Sequence, residues 1–318
     1  MVSPITGSSE IKPIIAFHEV SKWYGNVIGI NKLTLEIMPG VCGLLGPNGA
    51  GKSTLLQLAT GQLHASQGRV EVLGERVWNN PHLNQFIGLC PEQDALYEWM
   101  TGQQFIQYCA RLAGFKAHAV KAKTDELIDA VGMTPYRHRV VRGYSKGMRQ
   151  RIKLAQALVN DPKVLFLDEP MTGTDPVARR DLLEIIGTLA NQGKTIVVSS
   201  HVLYEVQTLT PNVILMNHGR LVAQGDIRQI RDLMDKHPHR IVLVGRQCRQ
   251  LAAELLDYPD VVGVRLGANG ASVVLETLRP DDFYARLPYL ATGHPWSIDE
   301  VYSEDDNLDA VFHYLVDQ

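Results

Sequence analysis

Residues 46–54 read Gly-Pro-Asn-Gly-Ala-Gly-Lys-Ser-Thr. They follow the apolar run Val41–Leu45 and precede Leu55-Leu56-Gln57-Leu58-Ala59, so the spacing predicts a strand turning into a helix. Glycine populates positive φ freely, which lets the loop curl until successive N–H groups face one anion. The positive end of the following helix adds to that attraction. Gly46, Gly51, Lys52 and Ser53 stand at the spacing of a phosphate-binding loop. Lys52 is expected to reach the β- and γ-phosphates of a nucleoside triphosphate, and the Ser53 hydroxyl to ligate Mg²⁺. Pro47, Asn48, Gly49, Ala50 and Thr54 complete the binding segment.

The other strand ends also carry polar chemistry. Val164-Leu165-Phe166-Leu167-Asp168-Glu169-Pro170 is an apolar strand that ends in two carboxylates, where parallel sheets bind ligands. Asp168 is expected to hold Mg²⁺, and Glu169 to activate a water in line with the γ-phosphate. His201 follows Thr195–Ser200 and is placed to donate to a phosphate oxygen as charge develops. Tyr144-Ser145-Lys146-Gly147-Met148-Arg149-Gln150-Arg151 starts another helix, with Ser145 as N-cap and Gly147 permitting close approach. It reads either as a plain helix start or as a second anion site.

The element pattern is α/β. Ile14–Phe17 and Leu33–Ile37 are expected as short strands flanking Lys22-Trp23-Tyr24-Gly25. Gly68–Gly74 reads as a hairpin strand, and Phe86–Cys90 as a strand ending at Pro91. Residues from Glu98 to Asn160 turn helical. Strands at Val164–Leu167 and Thr195–Ser199 then resume around a helix at Pro176–Asn191, which implies a mostly parallel sheet. Val213–Met216 and Arg220–Ala223 form a hairpin about Asn217-His218-Gly219. Beyond Arg231 the order is strand 240–244, helix 247–256, strands 261–265 and 271–276, helix 280–290, strand 296–301 and helix 308–316. That β-α-β-β-α-β order is a split βαβ sandwich.

Composition narrows the classes. The 318 residues are 45% hydrophobic and 20% charged, with a formal net charge of −3, so no basic field exists to attract nucleic acid. Cys42, Cys90, Cys109 and Cys248 are scattered, which favours buried thiols over a metal site or disulfides. No apolar run is long enough to span a bilayer, and residues 1–10 lack a signal-peptide pattern. A cytoplasmic chain is expected, with any membrane role mediated by a partner.

The ordered set of motifs resembles the nucleotide-binding subunits of ABC transporters over roughly residues 12–230. Tyr24 fits the aromatic that stacks on adenine, and Gly46–Thr54 the phosphate loop. Ser145–Gln150 fits the family signature, Val164–Glu169 the second Walker motif, Gly173–Pro176 the aspartate loop and His201 the switch histidine. The resemblance implies an ATPase domain at 12–232 with an antiparallel β subdomain and a helical subdomain near 96–160. A small ferredoxin-like α+β domain would occupy 238–318. It implies ATP and Mg²⁺ as cofactors, with Lys52, Glu169 and His201 catalytic. It also implies head-to-tail homo- or heterodimers, in which Ser145, Lys146, Gly147 and Gln150 serve the partner's nucleotide and Asp175 lies in the dimer loop. Lys146 replaces a usual glycine, Thr174 a usual leucine, and Cys90-Pro91-Glu92-Gln93-Asp94 puts Glu92 where glutamine is expected. Either Glu92 or Gln93 would then approach the metal.

The tail and Asp94–Thr101 resemble the subgroup that drives separate six-helix permeases, often exporters related to lipid-type ABC transporters. Leu96, Tyr97, Trp99 and Met100 are then expected to contact a permease helix or to belong to the helical core. The chain would sit on the inner face of the plasma membrane through that permease. A non-transport ABC ATPase is the alternative. A kinase or GTPase leaves Ser145–Gln150 unexplained, and no Asn-Lys-x-Asp motif is present.

Overall fold

A computed structural model describes residues 12–227, 230, 238–267 and 270–303. The chain divides into two compact units between Gln224 and Gly225.

The first unit opens with β1 (Ile15–Tyr24) and β2 (Val27–Ile37), an antiparallel hairpin. These strands are longer than the two short runs expected from sequence. Register shifts between Phe17 and Val20, and again before Trp23, absorb polar residues that break the apolar alternation. Trp23 and Tyr24 therefore close a strand. After β3 (Val41–Leu45) and α1 (Lys52–Ala59), β4 (Gln67–Val72) and β5 (Glu75–Arg76) complete a four-stranded sheet, order β2-β1-β4-β5.

Next come α2 (Pro81–Asn84), β6 (Ile87–Cys90), α3 (Gly102–Leu112), α4 (Ala117–Ala130) and α5 (Lys146–Ala157). Helix α3 starts later than the polar pattern suggested, because Thr101 and Gln104 form a reciprocal capping box. The core then resumes with β7 (Val164–Leu167), α6 (Pro176–Asn191), β8 (Thr195–Ser200), α7 (Leu203–Gln207), β9 (Asn212–Asn217) and β10 (Arg220–Asp226). The six-stranded sheet has order β10-β9-β3-β8-β7-β6, and β9, β3, β8, β7 and β6 run parallel.

Alternating side chains of this sheet feed two cores, as the pleat requires. Leu165, Leu167, Ile196 and Val198 pack with Phe105, Ile128, Ile152 and Leu154 of the helical region. Val164, Phe166 and Val197 pack with Phe17, Leu35 and Leu55 beside the antiparallel sheet. Strands β7 and β8 are buried along their whole length, which explains the unbroken apolar runs Val164–Leu167 and Ile196–Val198.

The second unit contains β11 (His239–Arg246), α8 (Cys248–Leu255), β12 (Val261–Leu266), β13 (Ser272–Thr277), α9 (Pro280–Leu290) and β14 (Ser297–Ser303). All its strand pairs are antiparallel, in the order β12-β13-β11-β14, so the split βαβ arrangement is present. Ile241, Leu243, Leu251, Leu255, Val273, Leu275 and Phe283 form its core. The helix expected at 308–316 lies outside the described residues. Among those described, no helix is long and apolar enough to cross a membrane. All four cysteines are free thiols, and burial pushes those of Cys42 and Cys90 up to about 12.

Candidate functional site

The parallel strands β3, β8, β7 and β6 deliver their C-terminal ends to one edge of the sheet, bringing together segments far apart in sequence. From β3 comes the loop 46–51. Its shape depends on glycine at two points. A Cβ on Gly46 would lie 2.5 Å from the Met216 carbonyl oxygen. Gly51 has φ +102°, and a Cβ there would lie 2.7 Å from the Gly29 carbonyl oxygen. The turn His218-Gly219 props the loop from outside, since Gly219 N–H donates to the Ala50 carbonyl at 2.9 Å. Helix α1 then begins with no side-chain cap and no acidic residue in its first turn. Its first N–H groups therefore have no side-chain acceptor, and its positive end is uncompensated by the chain.

Lys52 is the first residue of that helix and is buried. Its ammonium donates to the Gly46 carbonyl at 2.6 Å and lies 3.2 Å from Glu169 Oε1. Glu169 follows β7 with φ +48°, a left-handed conformation that aims its carboxylate back toward the loop. Its Oε2 accepts from Thr172 Oγ1 at 3.0 Å and faces His201 Nδ1 at 2.9 Å. A carboxylate only accepts, so Nδ1 carries a proton, and donation to phosphate through Nε2 would require the imidazolium. Burial opposes ionisation of Glu169, but Lys52, His201 and Thr172 together outweigh it and hold the carboxyl below its ordinary range.

Asp168 is also buried, so neither carboxylate is a solvated strand end. Its Oδ1 accepts from Ser199 Oγ at 2.7 Å, and that hydroxyl in turn accepts from Glu169 N–H at 2.9 Å. Ser199 thus orients both acids. Nothing in its strand sequence separates it from an ordinary buried serine, and Thr172 was equally silent. Behind His201, Ser200 Oγ donates to Glu205 Oε2 at 2.8 Å, and Glu205 pairs with Arg179 of α6 at 3.2 Å.

Tyr24 is half exposed at the end of β1, with its hydroxyl 3.4 Å from Thr54 Oγ1. The aromatic side chain therefore stands beside the first turn of α1. The expected metal-binding groups, Ser53, Asp168 and Glu92 or Gln93, all offer the hard oxygen donors that Mg²⁺ takes. Among the described residues no cluster of three or more His, Cys, Asp or Glu forms a metal site. The side chains of Glu92 and Gln93 are exposed, and neither makes a hydrogen bond or ion pair among the described residues.

The second predicted cluster lies elsewhere. Ser145 caps α5, accepting from Met148 N–H at 3.3 Å. Gly147 is needed for packing, because a Cβ there would lie 2.6 Å from Ala178 Cβ. Gln150 is buried with its Oε1 unpartnered, and Lys146 reaches Asp94 at 3.6 Å. Asp175 caps α6, accepting from Ala178 N–H at 2.9 Å. No hydrogen bond or ion pair among the described residues joins 145–150 to 46–54. Of the four apolar residues expected at a permease, Leu96 is buried and Met100 packs on the helical core, whereas Tyr97 and Trp99 remain exposed. Leu96 and Met100 are therefore core residues, because helices α3 and α5 need their apolar surface.

Residues 30–172 match the family model for the ABC transporter. An ABC transporter ATP-binding protein of Nostoc sp. is 40% identical over 207 residues, spanning 64% of this chain and 62% of that relative. The Nod factor export ATP-binding protein I of Burkholderia pseudomallei is 34% identical over 275 residues, 86% of this chain and 89% of the relative. Among solved structures, CbiO1 of Clostridium perfringens, part of the ABC transporter complex CbiONQ, has a TM-score of 0.63 at 25% identity. That similarity covers 70% of this chain and 91% of CbiO1.

Proposed function

The chain belongs to the ABC transporter family of ATP-binding proteins and is an ATPase of that kind, and from this premise we propose that it powers a separate membrane permease, as an exporter subunit. Residues 12–232 are the ATPase domain and 238–318 an accessory domain. The observation that carries the reading is the meeting of Lys52, Glu169 and His201 at the sheet edge. Lys52 and the loop amides bind the phosphates, and Tyr24 stacks on the base. Glu169 takes a proton from the attacking water, and His201 fixes that carboxylate. Mg²⁺, held by Ser53 and Asp168, would neutralise phosphate charge.

Among the described residues no hydrogen bond or ion pair joins the signature helix to its own phosphate loop, and the buried Gln150 oxygen is unpartnered. Ser145 and Gly147 serve the partner's nucleotide, and two half-sites per chain make the head-to-tail dimer the working unit. ATP closes that dimer, closure moves the permease through the exposed Tyr97–Trp99 face, and hydrolysis reopens it. The export direction is supported by the Nod factor export relative. The protein then works at the inner face of the membrane through its permease, with no nucleic-acid role.

Glu169→Gln should retain ATP while turning over at least about a hundredfold more slowly, a typical loss for a general base. ATP should convert that variant into a dimer in sedimentation. Undiminished turnover overturns the role of Glu169, and a monomer at saturating ATP overturns the shared site. Membrane recruitment only on co-expression with a permease separates the transport reading from a free-standing ABC ATPase.

A further inference from the structure

We propose that Lys153 is a positioning residue that makes the loop after β6 and the start of α5 move as one body. The inference rests on reading Ser145–Gly147 as the partner-facing half of a nucleotide site. Lys153 is 1% exposed, in the middle of α5. An ammonium has N–H donors for three acceptors, and burial is costly unless all are met. Here they are met by the Pro91 carbonyl at 2.8 Å, the Glu92 carbonyl at 2.8 Å and Asp94 Oδ1 at 3.2 Å. Two of these partners are main chain, so the backbone itself is fastened to the helix.

The attachment is reinforced along one helix face. Lys146, Arg149 and Lys153 are spaced i, i+3, i+7, which places them in a single stripe. Asp94 lies 3.6 Å from Lys146 and 3.8 Å from Arg149, and Glu98 pairs with Arg149 at 2.8 Å. Cations at a helix N-terminus oppose the macrodipole, and α5 has no acidic residue in its first turn. The acids from 94 and 98 supply that compensation from outside the helix.

The other end of the loop touches the chemistry. Asp168 N–H donates to the Cys90 carbonyl at 2.9 Å, one residue before Pro91. Displacement at Ser145–Gly147 is therefore carried by Lys153 to Glu92 and Gln93, beside the Asp168 end of the sheet. An apolar side chain could fill the space of Lys153 at lower desolvation cost. A buried charge that binds main-chain oxygens fixes registry.

The experiment uses the full chain and the variants Lys153→Met, Asp94→Asn and Asp94→Glu. It measures ATP affinity, kcat and KM. Hydrogen exchange of 87–100, 144–158 and 46–60 is followed with and without ATP, in the Glu169→Gln background. In the parent, ATP should protect all three segments. Lys153→Met should keep ATP affinity within about twofold and lose about tenfold in kcat, a cost typical of a misplaced group. ATP should then protect 46–60 and 144–158 but no longer 87–100. Asp94→Asn should show the same pattern more weakly, and Asp94→Glu should restore it. Because Asp94 is 25% exposed, its variants keep the test alive if Lys153→Met fails to fold. Unchanged kcat with all three segments still protected in the variants overturns the coupling alone. Absence of ATP protection at 144–158 in the parent overturns the shared-site reading, and the coupling with it.

Discussion

Two helices begin at glycine-bearing turns, and they begin differently. Helix α1 starts from Gly51 at φ +102° with no side-chain cap. Helix α5 starts from Ser145 at φ −67°, and the Ser145 hydroxyl accepts from Met148 N–H. The first start leaves its amide donors without a side-chain acceptor and places a buried cation at the same spot. The second satisfies one donor internally and spends its glycine, Gly147, on contact with Ala178. Both lack acidic residues in the first turn, so both keep a positive end. This contrast supports the proposed division of labour, in which α1 receives the anion of its own chain and α5 would lend one face to a partner's site.

Lys52→Ala should have the largest effect, because it removes the buried cation at the start of α1. Losing a charged donor to phosphate costs about 1.5–3 kcal/mol per bond, so isothermal titration should find ATP affinity reduced by more than about tenfold. Unaltered binding would return the loop to a structural role. The paired variants Gly51→Ala and Gly147→Ala should come next in size. Both force a backbone or methyl shift and should lower stability by about 1–3 kcal/mol in denaturant melts. Only Gly51→Ala should weaken ATP binding to the single chain, and a matching loss in Gly147→Ala would contradict the division of labour.

Tyr24→Ala tests the neighbour of α1, with an expected loss of about 1–3 kcal/mol in ATP binding, the scale of base–aromatic stacking. Equal affinity would leave Tyr24 as a strand-end residue. The smallest effect concerns pH. Glu169 has its folded pKa held below the unfolded value of about 4.3. Its ionisation thus contributes stability above that value, and the contribution is lost as pH falls through the folded pKa. The thermal midpoint of the parent should exceed that of Glu169→Gln at neutral pH, with the difference shrinking below about pH 4.3. A difference that widens in acid would mean that burial dominates.

The nucleotide edge was legible because its chemistry is written contiguously, in 46–54 and 164–169, and each run ends a strand of the same sheet. The helical ranges of 176–191 and 280–290 were legible for a similar reason: Pro176 and Pro280 each mark a first turn. What escaped depends on distant pairing. Ser199 acts only through Asp168 and Glu169, and Gly219 only through Ala50. Lys153 would be taken for a solvent-facing lysine, although the basic stripe 146/149/153 without first-turn acids was a signal that acids must come from elsewhere. The long strands β1 and β2 escaped because register shifts interrupt the alternation that periodicity reads. Leu96 and Met100 were ambiguous because apolar residues at a helix entrance look alike whether they face a core or a partner.

The contact between Lys52 and Glu169 acts as an interlock. With the lysine already neutralised by the carboxylate, an arriving phosphate trades one anion for another and does not quench a bare charge. The trade lowers the net gain from binding and would leave Glu169 without its lysine partner. On the proposed mechanism, proton abstraction by Glu169 would thereby be tied to the phosphate that draws Lys52 away. The same ion pair keeps both buried charges compensated within the fold.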